Sequence, residues 1–244
     1  MASFLIGSCT FISSCKDDFA DINTNPTIVS KPDPRYLFTQ ALANFDGHDY
    51  FAWYYDYNNM LRWSQTVAST GGNENLMTTM SNSGKMGSQV YNVMNQVNEL
   101  TYIVNTTLEG EEQAKYTYLK ALCQPLMIYL AMWDTDMYGS MAYTEAYQAR
   151  YGGTLTPKYD TQAELFDLWE KQLKETVETL ANDVTIDGNK VTQQSLGSQD
   201  IIYQGDYTKW LKFANSLRLK LAVRLINEDK NRALNIVRAV SYTH

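Results

Sequence analysis

Cys15 is the residue whose neighbours most clearly specify a reaction. Ile12-Ser-Ser-Cys15 puts an aliphatic residue and two small residues ahead of a thiol. That is a lipobox, the place where a bacterial secretory signal is cut and the new N-terminal cysteine is acylated. On this reading Cys15 is an anchor, not a nucleophile. It divides the chain into a residual signal peptide (1–15), an extended linker (16–34) and a folded part (35–244). Phe4, Leu5, Ile6, Phe11 and Ile12 form a short, interrupted apolar run, and no Lys or Arg precedes Lys16. The basic start of a signal is missing, so the chain reads as beginning late, at an internal methionine. Ile6-Gly-Ser-Cys9 is a competing lipobox, but Cys9 lacks the acidic followers Asp17 and Asp18. A single acyl chain holds a membrane only marginally, so lasting attachment needs a second chain or a partner.

A second kind of chemistry is offered by rings and amides. Tyr50-Phe-Ala-Trp-Tyr-Tyr-Asp-Tyr57, with Trp63, is the densest aromatic cluster. Sugars present C–H faces that stack on such rings, while amides, carboxylates and guanidinium groups take the hydroxyls. Trp53, Tyr55, Asn73 and Asn75 are the candidates for a sugar-facing group. The same cluster has a plainer explanation, because Tyr50, Trp53, Tyr54, Tyr57 and Leu61 follow helical spacing and so belong to a core. Catalytic and metal readings are poorly supplied. His48 and His244 are the only histidines, too few for a His-rich site. Asp134 and Asp136 flank Thr135 with Glu145 nearby, which leaves a calcium site open beside the plainer reading of a solvated acidic turn. No cofactor and no catalytic residue are expected.

The elements that must position these groups are helices. Tyr36, Leu37, Leu42 and Phe45 predict a first helix ending near Gly47, and Tyr50–Ser69 a second. From Met86, apolar residues recur at helical spacing through Val90, Val93, Met94, Val97, Leu100 and Val104. After Gly110 a long helix follows through Leu119, Leu122, Leu126 and Trp133, with Pro125 inside it, which should kink it or remove one backbone bond. Residues 134–158 read as a long loop. Thr161-Gln-Ala-Glu164 is a capping box opening the next helix. The polar excursion 182–206 holds Asp187-Gly188, a hairpin-type turn. A further helix starts near Asp206, and a last amphipathic segment spans Ala233–Val240. Trp133, Trp169 and Trp210 fall on apolar stripes and are expected in the core. Arg218, Lys220 and Arg224 are expected on an exposed or salt-bridged face. The helices fall into antiparallel pairs, 86–109 with 111–134 and 161–182 with 206–227. The fold class expected is all-α, an irregular tetratricopeptide-like helical-repeat array with long loop insertions.

Composition narrows the partners. The 244 residues are 44% hydrophobic, as suits one good core, and carry a net charge of −7. That acidity argues against nucleic acid as a partner. Cys123 is the only cysteine beyond the signal region and sits among Leu122, Leu126 and Ile128, so a buried thiol is expected. Eighteen Tyr and five Trp suit either ring-lined ligand surfaces or tightly packed helices.

Four ordered stretches carry a resemblance. Cys15-Lys-Asp-Asp-Phe19 and then Asp21-Ile-Asn-Thr-Asn-Pro26 are similar to the opening of SusD/RagB-like outer-membrane nutrient-binding lipoproteins. The Cys-Lys-Asp-Asp order also resembles the signal that sends lipoproteins to the surface of some Gram-negative bacteria. Asp136-Met-Tyr-Gly139 with Ala142-Tyr-Thr-Glu-Ala146 resembles the family's D-x-Y-G-x-x-P-Y-T-E-A turn. Met141-Ala142 stands where the family often has Val-Pro, which should loosen that turn. Pro157-Lys-Tyr-Asp-Thr161 precedes the capping box as in the family. Gly205-Asp206, Trp210 and Lys212-Phe-Ala-Asn-Ser-Leu217-Arg-Leu-Lys-Leu-Ala222-Val-Arg224 resemble its most specific helix. Members continue well past this point, so the chain reads as an N-terminal portion. The resemblance implies a non-enzymatic, lipid-anchored protein on the outer face of the outer membrane. It would capture glycan or another nutrient and deliver it to a TonB-dependent SusC-like transporter. It also selects Cys15 over Cys9. A helical-repeat interaction scaffold and a surface glycosidase are the other functions carried forward.

Overall fold

The computed structural model describes residues 33–45, 60–67 and 88–241. The array is all-α. It begins with α1 (Pro34–Ala43), whose N-cap Asp33 accepts a hydrogen bond from Arg35 N and whose first residue is proline, where a missing N–H costs nothing. Phe38, Ala41 and Leu42 are its buried stripe. A single turn, Leu61–Trp63, is the described part of the helix expected over residues 50–69.

α2 (Ser88–Thr107) runs along the expected stripe, with Val90, Val93, Val97, Leu100 and Val104 buried. It returns through the short α3 (Gly110–Ala114) into α4 (Thr117–Tyr138). The turn is held by one side chain: Gln113 Nε2 donates to the C=O groups of Val104, Asn105 and Leu108 at 3.1, 3.4 and 3.1 Å. These are carbonyls that the end of a helix leaves without partners.

α4 is longer than the sequence suggests. It continues to Tyr138 and stops at Gly139, whose φ of +78° suits a residue without Cβ. Asp134 and Thr135, read as the start of a loop, are buried on it. Trp133, expected in the core, is 36% exposed, because it falls on the opposite side of the helix from its buried neighbours Met132 and Asp134. Pro125 is accommodated inside the helix. A proline there cannot donate to the C=O four residues back. That carbonyl, on Ala121, instead accepts the hydroxyl of buried Thr176 at 3.3 Å. Cys123 is fully buried, its Sγ donates to Leu119 O at 3.3 Å, and burial pushes its thiol pKa up to about 12.

α5 (Gln162–Ala181) opens on the expected capping box. Glu164 N donates to Thr161 Oγ1 at 3.3 Å and Thr161 N to Glu164 Oε2 at 2.8 Å. The excursion holds a hairpin of β1 (Thr185–Ile186) and β2 (Asn189–Lys190), paired antiparallel. Asp187 at φ +49° and Gly188 at φ +81° make the turn. α6 (Tyr207–Leu225) starts at Asp206, whose carboxylate accepts from Thr208 N and Lys209 N. α7 (Lys230–Ser241) closes the described chain.

α1 packs on α2 and α4, α4 on both α5 and α6, α5 on α6, and α6 on α7. The two expected helix pairs are therefore joined across α4 into one core. Trp169 and Trp210 are fully buried in it. No helix among the described residues is long and apolar enough to cross a membrane.

Candidate functional site

Cys15, Trp53, Tyr55, Asn73 and Asn75 all lie outside the described residues, as do His48 and His244. The carboxylates that could have held calcium are described; Asp136 and Glu145 are engaged with separate partners, and Asp134 is buried. Asp136 is paired with Arg224, whose Nε donates to Asp136 Oδ1 at 3.2 Å and whose Nη2 reaches Oδ2. Glu145 Oε2 accepts from Lys158 N at 3.0 Å. Asp134 is 5% exposed, its Oδ2 has no partner among the described residues, and burial raises its pKa to about 7. No group of three or more His, Cys, Asp or Glu among the described residues could hold a metal.

The turn after α4 is held from its far end. Met141 and Asp160 form an isolated bridge, with Met141 N to Asp160 O at 3.1 Å and Asp160 N to Met141 O at 2.9 Å. The Asp160 carboxylate accepts from Tyr143 N, Thr144 N and Thr144 Oγ1 at 3.1, 2.8 and 2.8 Å. Burial opposes its ionisation, but these hydrogen bonds and Lys158 outweigh burial and hold its pKa below the ordinary range. That bridge and carboxylate set the turn at Met141-Ala142.

The basic face of α6 is more buried than expected. Arg218 is 7% exposed and its Nη1 donates to Asn215 Oδ1 at 3.1 Å. Lys220 lies 4.7 Å from the Tyr129 ring centroid, a cation–π contact. Arg224 alone fits the salt-bridged reading, through Asp136. Asp200, which sequence reasoning passed over inside a polar excursion, is fully buried. It accepts from Ile202 N, Tyr203 N, Gly205 N and Trp210 Nε1 at 3.1, 3.0, 2.9 and 2.7 Å. Gly205 has φ +82°, and a Cβ there would come within 3.0 Å of Gly197 N. The Gly205-Asp206…Trp210 signature is thus the frame that starts α6.

Among the described residues, two grooves are candidate places for a ligand. One, of about 300 Å³, runs between α4 and α5 and is lined by residues including Lys120, Gln124, Gln172 and Glu175, with no ring among them. The other, of about 240 Å³, lies between the C-terminal half of α2 and the turn Ala149–Tyr151. Its walls include Asn98, Thr101, Tyr102, Asn105, Gln148 and Tyr151. The Tyr102 and Tyr151 ring centroids are 4.8 Å apart. Glu99 fastens the turn to the helix, accepting from Tyr151 Oη at 2.7 Å and Arg150 Nη2 at 3.1 Å. Burial and the Glu99 carboxylate raise the Tyr151 pKa, so the phenol stays protonated. Sequence reasoning missed this groove; the available signal was that Tyr102 stands off the apolar stripe of α2.

The fold has solved counterparts. A SusD homologue from Parabacteroides distasonis ATCC 8503 superposes with a TM-score of 0.64 at 20% identity, covering 85% of this chain and 38% of its own. A chitin-binding protein gives 0.65 at 22%, covering 86% and 43%. A SusD homologue from Bacteroides fragilis NCTC 9343 gives 0.55 at 18%, covering 86% and 40%. The chain spans less than half the length of each of these proteins. No curated protein matches it. The family model described as starch-binding and associating with the outer membrane matches residues 26–243, and with that match over nearly the whole sequence the chain belongs to the SusD-like family.

Proposed function

We propose that this chain captures glycan at the cell surface without altering it chemically, and delivers it to a TonB-dependent SusC-like transporter. A lipid on Cys15 holds it to the outer membrane beside its partner. The observation that carries this reading is the family match over residues 26–243. The chemistry of the described residues supports capture over turnover. Glycoside hydrolysis needs two carboxyl groups facing each other across a cleft. Asp136, Glu145, Asp160 and Asp200 are instead spent on internal partners, and Glu175 is the one carboxyl group lining either groove among the described residues. Asp134, the acid with a raised pKa, lines neither groove.

The test is a glycan array with the full-length protein, run beside a reducing-end assay on every glycan that binds. Binding with no release of reducing ends is expected. Release of reducing ends, or a protein that binds nothing yet copurifies with a partner, would overturn the reading in favour of a glycosidase or an interaction scaffold.

A further inference from the structure

The groove beside α2 combines the two things a sugar needs and the core does not. The first is an accessible ring. Tyr102 is 44% exposed, while its partner Tyr151 is half-buried and fixed by Glu99. Tyr102 is therefore held on one side by Tyr151, with rings tilted by 33°, and open on the other. The second is a set of polar groups with nothing to bind. Among the described residues, the Thr101 hydroxyl, the Gln148 amide and Asn105 Nδ2 have no protein partner, whereas Asn105 Oδ1 is taken by Lys120 Nζ at 2.9 Å. A hydroxyl, an amide and an NH₂ group together offer donors and acceptors, as sugar hydroxyls require.

The loop is shaped to present them. Gly153 N and Tyr151 N both donate to Gln148 O at 2.9 Å, which folds the turn back on itself. A Cβ at Gly153 would meet Gln148 Cβ at 2.5 Å, so only glycine permits this fold. Gln148 is thereby placed against the groove by backbone, not by its own side chain. Beside the groove, Arg150 is paired with Glu99, and Lys120 donates to the neutral Asn105 amide. Tyr147, 46% exposed and stacked on Tyr91 at 5.9 Å, extends the ring-bearing side of α2, which suits a chain of sugars over a single one. The groove between α4 and α5 has polar walls but no ring, and lacks the stacking surface.

We propose that the groove formed by Tyr102, Thr101, Asn105 and Gln148 binds one pyranose ring of an oligosaccharide, with Tyr102 as the stacking platform. The assignment rests on the glycan-capture reading above and names a place for it on the helical array.

Calorimetric titration of the full-length protein with maltoheptaose and with chitohexaose tests it. Tyr102→Ala is expected to weaken binding about tenfold, the effect of losing one stacked ring. Tyr102→Phe, which keeps the ring, is expected to stay within about twofold of the native protein. Gln148→Ala changes only a loop amide, leaves α2 intact and is expected to weaken binding about threefold. If the native protein binds while Tyr102→Ala and Gln148→Ala bind equally well, this subsite is overturned and glycan capture stands. If the native protein binds neither oligosaccharide, this subsite is overturned, and glycan capture is judged on the array alone.

Discussion

The Asp200 carboxylate is shut away from water, and three backbone N–H groups and the Trp210 indole converge on it. Asn in its place would keep one acceptor oxygen but turn an NH₂ group toward donors. Asp200→Asn is expected to cost about 3 kcal/mol, read from denaturant titration. Asp134 works in the opposite sense. Burial raises its pKa to about 7 from an ordinary 3.8, so the folded state holds its proton more tightly than the unfolded chain. Its contribution to stability is intact below about pH 4, declines as pH rises, and is lost above about pH 7. Asp134→Asn is expected to leave stability at pH 4 little changed and to raise it by about 2 kcal/mol at pH 8, measured by thermal melts across pH. Neither residue's role was legible in sequence. A buried carboxylate and a solvated one have the same letter, and only the way residues 202–210 fold back over it separates Asp200 from Asp187. Cys123 was legible because Leu122, Leu126 and Ile128 place it on an apolar stretch and its chemistry needs no partner from elsewhere.

At the scale of elements, α4 and α5 are joined through a defect. Pro125 leaves Ala121 C=O without its helical donor, and Thr176 supplies one from across the interface. Thr176→Val removes the hydroxyl at constant shape and strands a buried carbonyl, which is expected to cost about 2 kcal/mol. In a Pro125→Ala background the restored N–H takes that carbonyl, so the same change is expected to cost about 1 kcal/mol less, seen as coupling in a double-mutant cycle. Helix periodicity, the capping box at Thr161 and the Asp187-Gly188 turn were readable because each is set by contacts within a few residues. The end of α4 was not. Asp134 and Thr135 look like loop residues, and only the packing that buries them keeps the helix going to Tyr138.

Across the whole molecule, a few ion pairs tie elements distant in sequence. Arg224 on α6 reaches Asp136 on α4, and Arg232 on α7 reaches both Asp167 and Glu170 on α5. α7 otherwise packs on α6, with Ala233, Ile236 and Val240 buried. Arg232→Ala is expected to raise amide exchange in 230–241 several-fold while leaving α2 and α4 unchanged, measured by hydrogen–deuterium exchange. The all-α repeat class was readable at this scale, because paired stripes of the right length have few other ways to bury themselves. The groove at Tyr102 was not, since its two walls are about fifty residues apart in sequence and meet through contacts such as Glu99 with Tyr151 and Arg150 that the sequence does not announce. The excursion between α5 and α6 also has a practical use. Its far stretch is strapped to the first helix pair, with Gln194 N on Lys115 O at 2.8 Å and Tyr118 N on Gln193 Oε1 at 3.0 Å, while the hairpin tip at Asp187-Gly188 stands exposed. A fluorophore or affinity tag grafted at that tip would ride on a firmly seated base, giving a label on the folded chain that leaves the residues lining both grooves unchanged.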